Sequence, residues 1–286
     1  MKRLILSACC LCILVACQTQ GPTSDSPASV LVDVQGTDSN ARANPGGRSV
    51  ISIPGFADPV SCMTHLLAAL VALVAGILLV LRFHGPALYR VGLVIFVFSA
   101  VFMFSMSGVY HLLGPGGSPR YVLRHLDHAA IWVMIAGTFT PVHLMLFRGW
   151  ARWGVLAFVW TAAINGIVLK SVFFEEFPKG LGLVLYLGLG WVGLFSIIAL
   201  VRRLGIRTAR FMVCGGLSYT VGAVVEFLKP PFLISGVVGP HELFHLAVII
   251  GVIYHWRFVR LTIDLAGRQG EPMGDPDSGT PVPVQG

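Results

Sequence analysis

The chain has 286 residues, of which 55% are hydrophobic and only 12% charged. A soluble domain carries about 25% charged residues, so this chain has too little polar surface for a water-soluble globule and reads instead as a multi-pass membrane protein. The net charge is +7, but the basic residues are scattered between apolar runs, where they read as membrane-flanking anchors and not as a nucleic-acid footprint.

The first residues, MKRLILSACCLCILVAC, set Lys2 and Arg3 before an apolar stretch too short to span comfortably. Its end, LVAC at Cys17, is similar to the lipobox of a bacterial lipoprotein signal, which would make Cys17 a lipidated mature N-terminus. An ordinary signal-like stretch or a misplaced start codon are the alternatives. Residues 18–55 are polar, rich in Ser, Pro and Gly, and read as a disordered linker. Seven apolar segments follow, at about 61–81, 88–112, 125–147, 152–172, 181–201, 209–228 and 241–260, each near the roughly 20 residues a bilayer needs. Gly, Pro and Arg punctuate the gaps, as in GPGGSPR, RRLGIRTAR and KPPFLISGVVGP. The expected fold is all-α, a seven-transmembrane helix bundle over 56–263, with a disordered tail over 264–286. Of six cysteines, four fall in the first 17 residues. Cys62 and Cys214 suggest neither a disulfide framework nor a paired CxxC metal site.

Seven spans place alternate loops on opposite sides. The N-terminal side holds Arg42, Arg48, Arg120, Arg124, Lys170, Lys179 and Lys229, seven basic residues; the other side holds eleven, among them Arg202, Arg203, Arg207 and Arg210 in one loop. The positive-inside rule then leans towards an exported N-terminus and a cytoplasmic C-terminus in the inner membrane of a bacterium, and the lipobox agrees.

Polar groups inside a membrane are costly and usually mark function. Ser107 and His111 lie at the end of the second span, Asp127 at the start of the third, and His241 and His245 at the start of the seventh, so all five fall at similar depth on the N-terminal side. His241 and His245 are four apart, stacked on one helix face with a rise of about 6 Å, and both can point at one ion. Three histidines plus a water make a catalytic zinc sphere with its fourth position open, and zinc lowers the pKa of that water to about 7. Asp127 could orient or deprotonate the water, and Ser107 could hold it or a substrate oxygen. Blander roles exist for each: Ser107 bonding its own backbone one turn back, Asp127 capping the third span, His111 merely interfacial. Other histidines fit less well, with His143 roughly 24 Å deeper than Asp127 and His255 roughly 15 Å from His245 by helix rise. His65, one turn into the first span, is near enough for a supporting role; His125 and His128 flank Asp127 and could support it, but read better as interfacial residues.

SGVYH (107–111), LDHAAIWVMIAGTFTP (126–141) and PHELFHLAVI (240–249), with LSYTVGAVVEFLKPP (217–231), resemble the signature blocks of the hemolysin III proteins. These are the bacterial members of the progestin and adipoQ receptor family, related to the adiponectin receptors and alkaline ceramidases. The resemblance covers roughly residues 56–260 and implies a seven-helix bundle with an intramembrane zinc. It implies His111, His241 and His245 as the ligands, Asp127 as the residue holding the zinc water, and Ser107 as the serine of the second helix. The family often has E-x2-N before the first helix, where this chain has Asp58-Pro59-Val60-Ser61. A second difference is sidedness, since the adiponectin receptors keep the zinc side in the cytoplasm.

HELFH (241–245) also spells the HExxH of zinc proteases. An extended zincin motif would need a third histidine at 251, where this chain has Gly251, and Asp264 lies about 28 Å along a continuing helix from His245. LDH at 126–128 is a poor copy of the LDG of site-2-type proteases. Glu242 is therefore read as incidental. The leading functional reading is a membrane-embedded zinc hydrolase acting on a lipid amide. The alternatives are a non-catalytic receptor or cytolysin-like protein with structural zinc and, further off, an intramembrane protease.

Overall fold

The computed structural model describes residues 57–270, apart from Pro115, Phe177, Phe232, Ser235 and Gly236. The signal-like segment with Cys17, the linker over 18–55 and residues 271–286 of the expected tail lie outside the described residues. Eight helices follow in order: α1 (Pro59–Leu81), α2 (Ala87–Leu112), α3 (Ser118–Leu146), α4 (Gly149–Val172), α5 (Lys179–Trp191), α6 (Gly193–Leu204), α7 (Ile206–Leu228) and α8 (Pro240–Gly270). The described residues contain seven helical segments long and apolar enough to cross a membrane, α5 and α6 together making the fifth. The all-α seven-span expectation is met.

Three boundaries differ from the sequence reading. The third span starts at Ser118, not near 125. Arg120 and Arg124 look like loop residues in the sequence, but inside the helix each meets a carboxylate, Asp58 at 3.8 Å and Glu175 at 3.0 Å. Gly117, at φ 80°, supplies the turn into the helix, and Pro119 sits in its first turn, where a missing N–H costs nothing. The fifth span is interrupted at Val192, within the glycine-rich run LGLGWVGL. Val192 keeps helical dihedrals (φ −54°, ψ −30°), so the chain still crosses in one pass. The last helix runs to Gly270, making residues 264–270 of the expected tail helical.

The faces of α1 show how the bundle sorts itself. Leu67, Leu70, Val71, Val74, Ile77, Leu78 and Leu81 recur at helical spacing and are exposed, as lipid-facing residues should be. The opposite face buries Ser61, Cys62, His65, Ala69, Ala72 and Gly76. Small residues let helix backbones approach closely in a membrane, where dispersion replaces the hydrophobic effect as the packing force. At Gly108 of α2 an added Cβ would lie 2.7 Å from Leu66 Cδ2 and 3.1 Å from the Leu66 backbone nitrogen of α1. The innermost helix is α3, with 83% of its apolar window buried against 22–50% for the others. It packs on α2, α4 and α8, while α8 also packs on α7 and α1. This arrangement brings the end of α2 and the starts of α1 and α8 to one place.

Candidate metal centre

The start of α8 is built by its own sequence. The Gly239 carbonyl accepts the first helical bond, from Leu243 N at 3.1 Å, and the Gly239 N–H donates to Glu242 Oε2 at 2.9 Å. A glutamate at the third helical position reaching back to the capping residue's N–H is half of a capping box, and Pro240 fits the first position. Ser61 Oγ donates to the other oxygen, Glu242 Oε1, at 3.2 Å and ties α1 to α8. Glu242, read in the sequence as incidental to the HExxH chemistry, has a structural role: the carboxylate is buried at 4% exposure and fixes where the helix begins. On the preceding helix, Lys229 takes a left-handed conformation (φ 46°) ahead of Pro230 and Pro231, which ends α7 and returns the chain towards α8.

With α8 so placed, His241 and His245 face His111 from the last turn of α2. One nitrogen from each of the three imidazoles lies within 4.8 Å of the other two. His111 Nε2 and His241 Nε2 are 3.2 Å apart. Two ligand nitrogens on a tetrahedral zinc with bonds of 2.0–2.1 Å stand about 3.3 Å apart.

The outer nitrogens explain the orientation of the rings. His111 Nδ1 donates to Asp58 Oδ2 at 2.8 Å, and the Asp58 backbone N–H donates to the His111 carbonyl at 3.1 Å. This clamp leaves the Nε2 lone pair of His111 facing inward, because an ionised carboxylate can only accept. Burial pushes the Asp58 carboxyl up, but its hydrogen bond with His111 and the nearby Arg120 guanidinium outweigh that and hold it below the usual aspartate range. His241 Nδ1 lies 3.5 Å from Glu226 Oε2 of α7. Carboxylates behind the outer nitrogen of metal-binding histidines fix tautomer and ring angle and raise basicity. At 3.2 Å His111 Nε2 and His241 Nε2 can share either a proton or an ion, and His245 Nδ1 is buried with no hydrogen-bond partner among the described residues. The donor set therefore fits a borderline-soft divalent ion such as zinc, and no acidic or cysteine ligand joins it among the described residues.

Ser107 and Asp127 are not among the grouped donors. Both line a cavity that reaches the cluster at His245 and His65. Asp127 lies nine residues inside α3, so its capping role is ruled out; the helix starts earlier and Gly117 precedes it. Asp127 Oδ2 is 3.8 Å from His128 Nδ1. The cavity has a volume of about 230 Å³, far above the roughly 10–15 Å³ that holds one water. Its walls are mostly apolar, with Met103, Ile131, Met134, Ile135, Leu183 and Leu187 among them, and the interruption at Val192 borders it through Gly190, Trp191 and Gly193. His143 belongs elsewhere, bonded to the Ala151 carbonyl at 2.7 Å and to Ser196 Oγ at 3.0 Å. His255 lines the cavity and bonds the Gly251 carbonyl at 2.9 Å.

Sequence reasoning missed Glu226 altogether and left the part played by Asp58 and Ser61 open. The same depth argument that gathered the histidines would have found Glu226, the one acid in the sixth span, close to the end that meets the start of the seventh.

The family model described as "Haemolysin-III related" matches residues 56–256. Hemolysin-3 of Bacillus cereus is 33% identical over 196 residues, covering 67% of this chain and 84% of that protein. The hemolysin-3 homolog of Bacillus subtilis (strain 168) is 29% identical over 194 residues, covering 67% of this chain and 87% of its own length. With its seven spans and the motif histidines gathered at one end of the bundle, the chain belongs to the haemolysin-III-related family of membrane proteins.

Proposed function

We propose that the protein is a zinc-dependent hydrolase that cleaves an amide bond of a membrane lipid. One observation carries the reading: of three grouped imidazoles one, His245, lines an apolar cavity whose wall also holds a carboxylate and a hydroxyl, Asp127 and Ser107. A structural zinc site is closed by four protein ligands, whereas a catalytic one keeps three and an open position. Zinc held by His111, His241 and His245 supplies Lewis acidity towards a carbonyl oxygen and hydroxide at neutral pH.

The remaining work falls to side chains. Asp127 accepts the proton of the attacking water and returns it to the departing amine. Ser107, buried on the same wall, holds the substrate oxygen. The apolar walls take the acyl chain and keep bulk water from the reacting atoms. Asp58 and Glu226 keep the His111 and His241 rings aimed. The protein works in the inner membrane of a bacterium with its N-terminus exported, so the cavity's metal end faces the exterior leaflet. The test is hydrolysis of a panel of labelled lipid amides by purified protein, with and without a chelator. Turnover abolished by chelation and restored by zinc supports the proposal. Stoichiometric zinc without turnover on any lipid amide would favour the receptor reading.

A further inference from the structure

His65 of α1 is the least explained polar group near the cluster. It is 3% exposed, and among the described residues neither ring nitrogen has a hydrogen-bond partner. Its ring lies parallel to that of His245, with centroids 4.0 Å apart and planes 5° apart, and meets Phe104 edge-on at 5.3 Å. It also lines the cavity. Packing alone does not call for an imidazole there, because a phenyl ring would stack on His245 and fill the same space. Burying two ring nitrogens unpaired is unfavourable, and an occupant of the cavity that pairs with them offsets the cost. A neutral imidazole offers one N–H donor and one acceptor, which suits a carbonyl, an amide or a hydroxyl and does not suit a hydrocarbon.

We infer that His65 is a substrate-binding residue, which hydrogen-bonds the polar head of the lipid in the cavity and sets that head beside the metal cluster. This rests on reading the cavity as the site of a lipid with a polar, carbonyl-bearing head. His65 selects the head and the apolar walls select the chain.

The test separates head recognition from catalysis. Two pyrene-tailed probes of equal length are titrated into the purified zinc-containing protein in nanodiscs: a long-chain methyl ketone, which has a carbonyl but no cleavable bond, and the matching alkane. The wild type is expected to prefer the ketone. His65→Phe, which keeps the ring and its stack on His245, is expected to reduce that preference about tenfold with alkane affinity and zinc content unchanged. His65→Gln, which restores a donor and an acceptor, is expected to recover most of it. The inference is overturned if the ketone preference survives in His65→Phe. It is equally overturned if both probes weaken together or zinc is lost, since His65 would then be a packing residue. Absence of lipid-amide turnover in the wild type, alongside a ketone preference that depends on His65, would reject the hydrolase and keep the head-binding role.

Discussion

Asp58 and Glu226 stand in the same relation to two different histidines, and that relation makes a numerical prediction. Partners behind a metal-binding imidazole typically govern 10–100-fold in metal affinity. Asp58→Asn should therefore weaken zinc binding by about that factor in a chelator competition titration, since Asp58 bonds His111 at 2.8 Å. Glu226→Gln should do less, because its contact with His241 is 3.5 Å and about a third exposed. An unchanged affinity in Asp58→Asn would mean that the clamp does not act through the metal. For Glu242→Gln we expect lower stability by about 1–3 kcal/mol in thermal unfolding, because an amide nitrogen would face a buried donor, Ser61 or Gly239. Zinc content and turnover per zinc should stay largely intact, whereas Asp127→Asn should keep zinc and lose turnover. The reverse pattern would revive a protease-like role for Glu242. At this scale the histidines were legible because their i,i+4 spacing and common depth follow from the chain alone. Of the acids behind them, Glu226 shares the depth that marks the histidines, whereas Asp58 was not legible, because its bond to His111 joins the start of α1 to the end of α2.

At the scale of the element, the site depends on how closely α1 and α2 approach. Gly108 lies next to Ser107 and one turn before His111. A methyl group there would press on Leu66 of α1, and overpacking of this kind typically costs about 1–3 kcal/mol. Gly108→Ala should lower the unfolding midpoint, and Leu66→Ala in the same chain should restore part of the loss, because Leu66 Cδ2 and Cγ are the nearest atoms. If the two losses simply add, the backbones and not the side chain set the contact. The helices themselves were readable from apolar runs of spanning length, and six of the seven needed no revision at the end nearer the N-terminus beyond three residues. The start of α3 was misread because charged residues inside a helix look like a loop until their carboxylate partners are known, and these come from the start of α1 and the turn after α4. The interruption at Val192 carries a sequence cue in its glycines, but the cavity that it borders depends on seven helices at once.

For the whole molecule, sidedness decides which lipids the cavity can meet. The loop charges, eleven on the C-terminal side against seven on the other, predict a cytoplasmic C-terminus. An alkaline phosphatase fused after Gly286 should therefore be silent and a cytoplasmic reporter at the same site active; strong phosphatase activity would invert the orientation and leave the metal cluster as it is. Whichever way it faces, the account depends on a single ion joining α2 to α8. The direct test is metal analysis of purified protein together with His111→Ala, His241→Ala and the His241→Ala His245→Ala pair. The wild type should carry about one zinc per chain, each single variant clearly less, and the double variant none. Stoichiometric zinc persisting in the double variant would contradict the account.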